Sequence, residues 1–325
     1  MRVREAMATD FPALADVQGA VWPEHATTAE TLAHEDADLR RHPVGAHLWR
    51  VVAEDSAGRV IGSGSLMQWP GLFHPTRYHA EVLVRPEARG RGAGRALAAA
   101  LETHLRERGA REVLATSRED CPQGLAFLTR RGFEDHMRYF ASALTLADFD
   151  PAEWAASAPL PQGLRLRSLA DLVAEVGEEA AWRAYFDVYG AVRADVPRAG
   201  EATPLDFGHF RTRAEDERFW PQGVLFAVTG GGEVAALTEL YADATDSTRL
   251  QTGLTGTRRE WRRRGVGLAL KLAALELARE RGAVSVWTDN ASSNVPMLGL
   301  NDRLGFVRQP AWVEMRRGRV EGEPL

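Results

Sequence analysis

Val82-Leu83-Val84-Arg85-Pro86-Glu87-Ala88-Arg89-Gly90-Arg91-Gly92-Ala93-Gly94 runs from an apolar, β-prone segment into a glycine turn, and a helical pattern follows. The pattern Arg-x-x-Gly-x-Gly returns as Arg262-Arg263-Arg264-Gly265-Val266-Gly267, 173 residues later. The same offset carries Arg106-Glu107-Arg108-Gly109-Ala110 onto Arg279-Glu280-Arg281-Gly282-Ala283, and Gly132-Phe133 onto Gly305-Phe306. A gapless match of this length is an internal repeat on the scale of half a domain. The chain therefore reads as two copies of one fold, with the glycine turn as the working part of each.

Around the turn, both halves alternate short strands with helices. Arg2 to Arg4, Leu48 to Ala53, Val60 to Met67, His79 to Val84 and Val113 to Thr116 have strand character. Asp10-Phe11-Pro12 opens a first helix, with Pro12 in its first turn. A second helix is expected over Thr28 to Arg41. The run Ala96-Leu97-Ala100-Leu101-His104-Leu105 keeps helical spacing until Gly109. Gly124 to Arg131 is a further helix, closed by Gly132. In the second half, longer helices are expected near Leu169 to Val192 and Leu205 to Phe219. The fold class is α/β with a mixed sheet, as 1–148 and 164–325. Residues 149–163, with Pro151, Pro159 and Pro161, have linker composition. Gly318 to Leu325 reads as a mobile tail.

The chain has 325 residues, which favours two domains, and a net charge of −5. That balance argues against a nucleic-acid binder. Cys121 is the single cysteine, so no internal disulfide forms. No apolar region follows the N-terminal charges, and no run reaches the length of a membrane span. A cytoplasmic protein without a membrane partner is expected. The nine histidines form no ligand spacing, so no metal is expected.

A strand that passes through glycines into a helix leaves backbone N–H groups free at the helix start. Those donors and the helix dipole make an anion site. A Walker loop would need Lys-Ser/Thr after Gly94, where Arg95-Ala96 stands. The dinucleotide fingerprint would need glycine at Arg95 and at Arg263. The pattern instead resembles the acetyl-coenzyme A loop of the GNAT N-acetyltransferase superfamily, and the likeness extends over nearly the whole chain as a tandem pair. Asn294-Val295-Pro296-Met297, closing at Asn301-Asp302-Arg303-Leu304-Gly305-Phe306, is similar to that family's second motif.

The resemblance implies acetyl-coenzyme A as acyl donor and direct attack by a primary amine in a ternary complex. The acceptor is a small molecule or a peptide or protein amine, and the chain a monomer or homodimer. It assigns cofactor contacts to Val82, Val84, Arg89, Gly90, Arg91, Gly92, Ala93, Gly94 and Arg95. In the second copy they fall to Thr255, Thr257, Arg262, Arg263, Arg264, Gly265, Val266, Gly267 and Asn294.

An ammonium must lose a proton before it attacks, which calls for a general base. Glu81, on the strand entering the turn with His79 on the same face, is the candidate in the first half; a solvated strand carboxylate is its other reading. Glu239 is the candidate in the second. The family's tyrosine acid falls at Leu128 and at Asn301, so Asn301 is the polar candidate. Cys121 stands where the second copy has Asn294 and reads as a buried structural thiol. Asn294 and its closing motif favour the second half as the catalytic one, while the first has the more complete turn. Trp220, Trp261, Trp287 and Trp312 make the second half aromatic. The reading from another class is a non-catalytic acetyl-coenzyme A-binding regulator with one degenerate half.

Overall fold

The computed structural model describes residues 1–155, 158–198 and 202–318. The chain divides into two compact units. Unit 1 comprises Met1–Arg138 with 202–204 and 312–318, and unit 2 comprises 139–198 and 205–311 without the undescribed positions.

Unit 1 opens with β1 (Arg2–Glu5), α1 (Phe11–Val21) and α2 (Ala29–Arg41). Three strands follow: β2 (Leu48–Glu54), β3 (Val60–Met67) and β4 (Arg77–Val84). Beyond the glycine turn come α3 (Ala93–Glu107), β5 (Glu112–Arg118), α4 (Pro122–Thr129) and the start of β6 (Glu134–Thr145). Its sheet runs β1-β2-β3-β4-β5, antiparallel except for the parallel pair β4/β5.

Strand alternation sorts β4 into two faces. Tyr78, Ala80, Val82 and Val84 join Leu97, Leu101 and Leu105 of α3 in one core. Leu83 turns to the other side, against Leu14 and Val17 of α1. Glu81 shares the face of Leu83. A buried pair holds α2 there: Arg50 of β2 donates to both oxygens of Asp36, at 2.7–3.1 Å.

Unit 2 repeats the plan. It contains a single turn α5 (Ala152–Ala155), then β7 (Leu164–Ser168), α6 (Leu169–Val176), α7 (Glu178–Arg193) and α8 (Phe207–Arg211). The sheet strands β8 (Val224–Thr229), β9 (Val234–Ala242) and β10 (Arg249–Thr257) lead to α9 (Val266–Glu280). β11 (Ser285–Ala291), α10 (Val295–Arg303) and β12 (Val307–Arg308) follow, and β13 (Trp312–Gly318) ends the described chain. The sheet runs β11-β10-β9-β8-β7, again with one parallel pair, β10/β11.

The units do not follow the boundaries expected at 148 and 164. Residues 139–145 of β6 pair with β11 in unit 2, and β13 pairs with β5 in unit 1. The two segments are equivalents, 173 residues apart. Each therefore satisfies the same kind of strand edge, and each closes the unit of the other half. The expected linker is also built in. Phe149 is 6% exposed, and Trp154 and Leu160 pack on the core of unit 2.

Two helices expected in the second half are shorter than their periodicity implies. Leu169 to Val192 is broken at Gly177, whose φ of 85° is open to glycine at little cost. Ser168 and Asp171 form a capping box on α6. Only Phe207–Arg211 is α-helical in the second segment, capped by Asp206 and followed by a 3-10 turn. Of the tail expected over Gly318 to Leu325, Gly318 ends a strand instead, and 319–325 lie outside the described residues.

Candidate active site

The parallel ladder between β4 and β5 holds at Arg77↔Glu112, Tyr78↔Val113 and His79↔Leu114, and then stops while both strands continue. Beyond His79 a cavity of about 820 Å³ lies in the gap. Its walls include Ala80 to Val84 from one strand and Val113, Ala115 and Thr116 from the other. The volume is that of a typical cofactor or small-molecule site.

The glycine turn forms one end of this cleft. Gly90 and Gly92 have φ of 75° and 91°, conformations that glycine adopts freely. Gly92 caps α3, and Ala96 is the first residue whose N–H bonds back into the turn, to the Gly92 carbonyl. The N–H groups of Ala93, Gly94 and Arg95 thus have no partner within the helix. Arg89 folds back, donating from Nε to the Val84 carbonyl at 3.1 Å. Arg95, Arg130 and Arg131 also line the cleft, against Glu81 and Glu102. A helix N-terminus among arginines suits a pyrophosphate. Val82, Val84 and every residue from Arg89 to Arg95 except Arg91 line the cleft, and Ala93 among them is 1% exposed. Exposed Arg91 is the one that stands outside.

Glu81 lines the gap where the ladder has ended. Cross-strand register places Arg50, Ser65 and Glu81 in one row on the α1/α2 face. The side chain is exposed to the cleft, and the protein around it displaces enough water to raise its carboxyl above the usual range, while Arg50 pulls the other way. Asp36 neutralises much of the Arg50 charge. His79, two residues earlier, is held down at about 4 by burial and by Arg77, so its imidazole is neutral at pH 7. The arrangement leaves a carboxylate whose affinity for a proton is raised, as a general base requires.

Two lining groups escaped sequence reading. Trp22, at the end of α1, meets Trp312 of β13 edge to face at 4.8 Å, and both line the cleft. Trp312 was expected to serve the second half; strand exchange brings it here. Cys121 is not a core thiol. It is half-buried, unoxidised and in the cleft wall at the start of α4. Its alignment with Asn294 was the available signal.

The second copy keeps the backbone and changes the chemistry. The β10/β11 ladder ends after Gln251↔Trp287, and β10 is irregular between Thr252 and Thr255. Gly265 has φ of 82°, and Arg263, where the first copy has Gly90, takes φ of 59°. An arginine in this region costs about 1–2 kcal/mol. Arg262 Nε donates to the Thr257 carbonyl at 3.1 Å, as Arg89 does to Val84. However, Asp195 bridges Arg259 and Arg262, and those guanidinium groups hold its carboxyl well below the usual range. Thr255 Oγ1 lies 2.7 Å from Thr238 Oγ1, so its hydroxyl is engaged. Thr257, Arg264, Val266 and Gly267 flank the turn; Val266 is 1% exposed, and Arg264 lies over the Trp261 ring. Asn294 opens α10 without a side-chain cap bond.

Both catalytic candidates of the second half are buried. Glu239 is 2% exposed. Its Oε1 accepts from Tyr185 Oη and from Arg213 at 3.1 Å, and its Oε2 from the Leu254 N–H at 2.5 Å. Burial pushes this carboxyl up, against Arg213, and both of its oxygens already accept hydrogen bonds. A Cβ at Gly253 would collide with Oε2, so the strand closes directly on the carboxylate. Glu239 thus pins the irregular stretch of β10 rather than facing a gap. Asn301 is 1% exposed and donates from Nδ2 to Asn290 Oδ1 at 2.7 Å, which ties α10 to β11, while its Oδ1 is buried without a hydrogen-bond partner. Both were expected as chemical groups because sequence cannot show whether a polar side chain is already partnered.

Among the described residues no group of three or more His, Cys, Asp or Glu could hold a metal, and no helix is long and apolar enough to cross a membrane.

A splayed parallel pair, a glycine turn at a helix start, and two such copies in one chain define a tandem acyltransferase fold. The family model for the acetyltransferase (GNAT) family matches residues 3–133 and 194–306, and the chain belongs to that family as an N-acetyltransferase with two copies of the fold. It is 29% identical over 233 residues to the mycothiol acetyltransferase of Pseudarthrobacter chlorophenolicus, covering 70% of this chain and 66% of that one. The mycothiol acetyltransferase of Thermobispora bispora is 31% identical over 242 residues, covering 73% and 75%. A tandem GNAT protein from the clavulanic acid biosynthesis pathway superposes with a TM-score of 0.73 over 98% of each chain at 22% identity, which is a likeness of fold.

Proposed function

We propose that the chain moves an acetyl group from acetyl-coenzyme A to the primary amine of a small molecule, by direct attack in a ternary complex within the cleft of unit 1. The observation that carries this reading is the cavity of about 820 Å³ that joins the Gly90–Gly94 turn to Glu81. The free N–H groups of Ala93, Gly94 and Arg95, with the nearby arginines, would hold the pyrophosphate. The edge of β4 at Val82 and Val84, left without a strand partner, would hold the pantetheine arm. When bound, the donor supplies an activated thioester carbonyl.

Glu81 receives a proton from the acceptor ammonium, directly or through one water. Its enclosure favours this, because a carboxylate with a raised pKa is the stronger base. Neutral His79 beside it adds no competing positive charge. Unpaired backbone N–H groups on β4 stabilise the oxyanion as the amine attacks. The amine nitrogen gains the acetyl group, the C–S bond breaks, and the thiolate takes up a proton.

The relatives named mycothiol acetyltransferase support a small-molecule amine over a protein terminus. The second half was expected to be the catalytic one. We assign the reaction to unit 1 instead, because both oxygens of Glu239 are engaged in the core of unit 2 and Asn301 is buried there, tied to Asn290 through Nδ2. Free-thiol release from acetyl-coenzyme A, measured across a panel of amines, tests the assignment. Amine-dependent release that Gly94→Trp abolishes is expected. Tight binding without release on any amine would support the regulator instead.

A further inference from the structure

The helices after the two glycine turns differ at several cleft-lining positions, one of which exchanges a small residue for a long charged one. In α3 it is Ala98, in the wall of the large cleft. The equivalent in α9, 173 residues on, is Lys271. This lysine is 3% exposed, and its Nζ lies 5.1 Å from the centroid of the Phe306 ring. Burial lowers its pKa to about 8, with no neighbouring charge or hydrogen bond offsetting the shift. An amine so placed opposes folding, so packing by itself does not explain its place.

Lys271 borders a void of about 10 Å³, with Ala274, Leu275, Val286 and Phe306. That is room for about one water. The equivalents of these five residues are Ala98, Leu101, Glu102, Val113 and Phe133, and all five line the cavity of about 820 Å³ in unit 1. The same wall therefore bounds an open cleft in one unit and a nearly filled space in the other. The side chain that enters the space is the one where alanine has become lysine. Asp195 on Arg262 is an independent sign of the same kind, since a carboxylate already occupies a cation of the second turn.

We propose that Lys271 closes the acyl-coenzyme A channel of the second half, so that the chain binds a single acyl-coenzyme A, in unit 1. This rests on the reading that the unit 1 cleft takes acetyl-coenzyme A. Calorimetric titration of the full chain with acetyl-coenzyme A tests both. The wild type should bind one equivalent and Gly94→Trp none. Lys271→Ala should bind two, the second more weakly, and the Lys271→Ala/Gly94→Trp double variant one. Lys271→Met, which keeps the bulk and removes the amine, should fold at least as stably and stay at one.

Two equivalents on the wild type, with one surviving in Gly94→Trp, would overturn the proposal. So would one equivalent on a folded Lys271→Ala. No binding to the wild type but one site gained in Lys271→Ala would sink the reading of unit 1 and uphold the closure by Lys271.

Discussion

Asp195 accepts hydrogen bonds from Arg262, the arginine that opens the second glycine turn, and also holds Arg259. The corresponding arginine of the first copy, Arg89, donates its Nε to a backbone carbonyl and lines the open cleft. The pair has a readable pH signature. The Asp195 carboxyl is depressed in the fold, so its contribution is present in full above the unfolded pKa of about 4 and shrinks as pH falls from there toward the much lower folded value. Asp195→Asn should lower the urea midpoint at pH 7 and do so by a smaller amount near pH 2. Equal losses at both pH values would show that the residue acts through packing rather than charge.

Glu81→Gln should lower kcat by about 10²–10³ with little change in KM, since general-base catalysis is worth about 10²–10⁴. The wild-type rate should rise with pH through a value above the ordinary carboxylate range, because the folded pKa is raised. That acid limb should vanish in the variant. A pH–rate profile that keeps its acid limb in Glu81→Gln would remove Glu81 as base.

Glu239→Ala should destabilise the protein by about 3–5 kcal/mol, the cost of leaving a buried charge such as Arg213 unpaired. Tyr185 would also lose its acceptor. Denaturant melts would report the loss. The folded variant should retain its KM for acetyl-coenzyme A, and a selective collapse of kcat in a fully stable protein would return Glu239 to catalysis.

Arg263→Gly should stabilise unit 2 by up to about 1 kcal/mol. Relief of the left-handed strain outweighs the added chain entropy of glycine by a narrow margin. The check is a higher midpoint at unchanged m-value.

Cys121 should react with a bulky maleimide, and acetyl-coenzyme A should slow the reaction, because the thiol stands in the cleft wall. Labelled protein should lose acetyl-coenzyme A binding, and Cys121→Ala should be indifferent to the reagent. Reaction at an undiminished rate under saturating acetyl-coenzyme A would place the thiol outside the occupied cleft.

Local rules were enough for much of this site. The glycines at 90, 92 and 265 all adopt positive φ, and a helix follows each turn as expected, starting at Ala93 and at Val266. Glu81 was legible because alternation along a strand fixes its face. Glu239 was legible as a carboxylate on a strand, but its partners Tyr185 and Arg213 come from 54 and 26 residues away, and nothing local marks them. Gly177 was visible too, yet the apolar spacing across it concealed the break between α6 and α7.

The sequence by itself determined the repeat, the two glycine turns and the family, because each rests on residue spacing and on which residues tolerate a left-handed backbone. Only the tertiary structure decided which closing strand completes which unit. Residues 139–145 and 312–318 are equivalents that offer similar ladders, and a local pattern cannot choose between similar edges. That choice carries Trp312 to the cleft of unit 1. Tertiary packing likewise decided that Ala98 borders an open space while Lys271 fills one, since the room around a side chain belongs to all the elements that meet there.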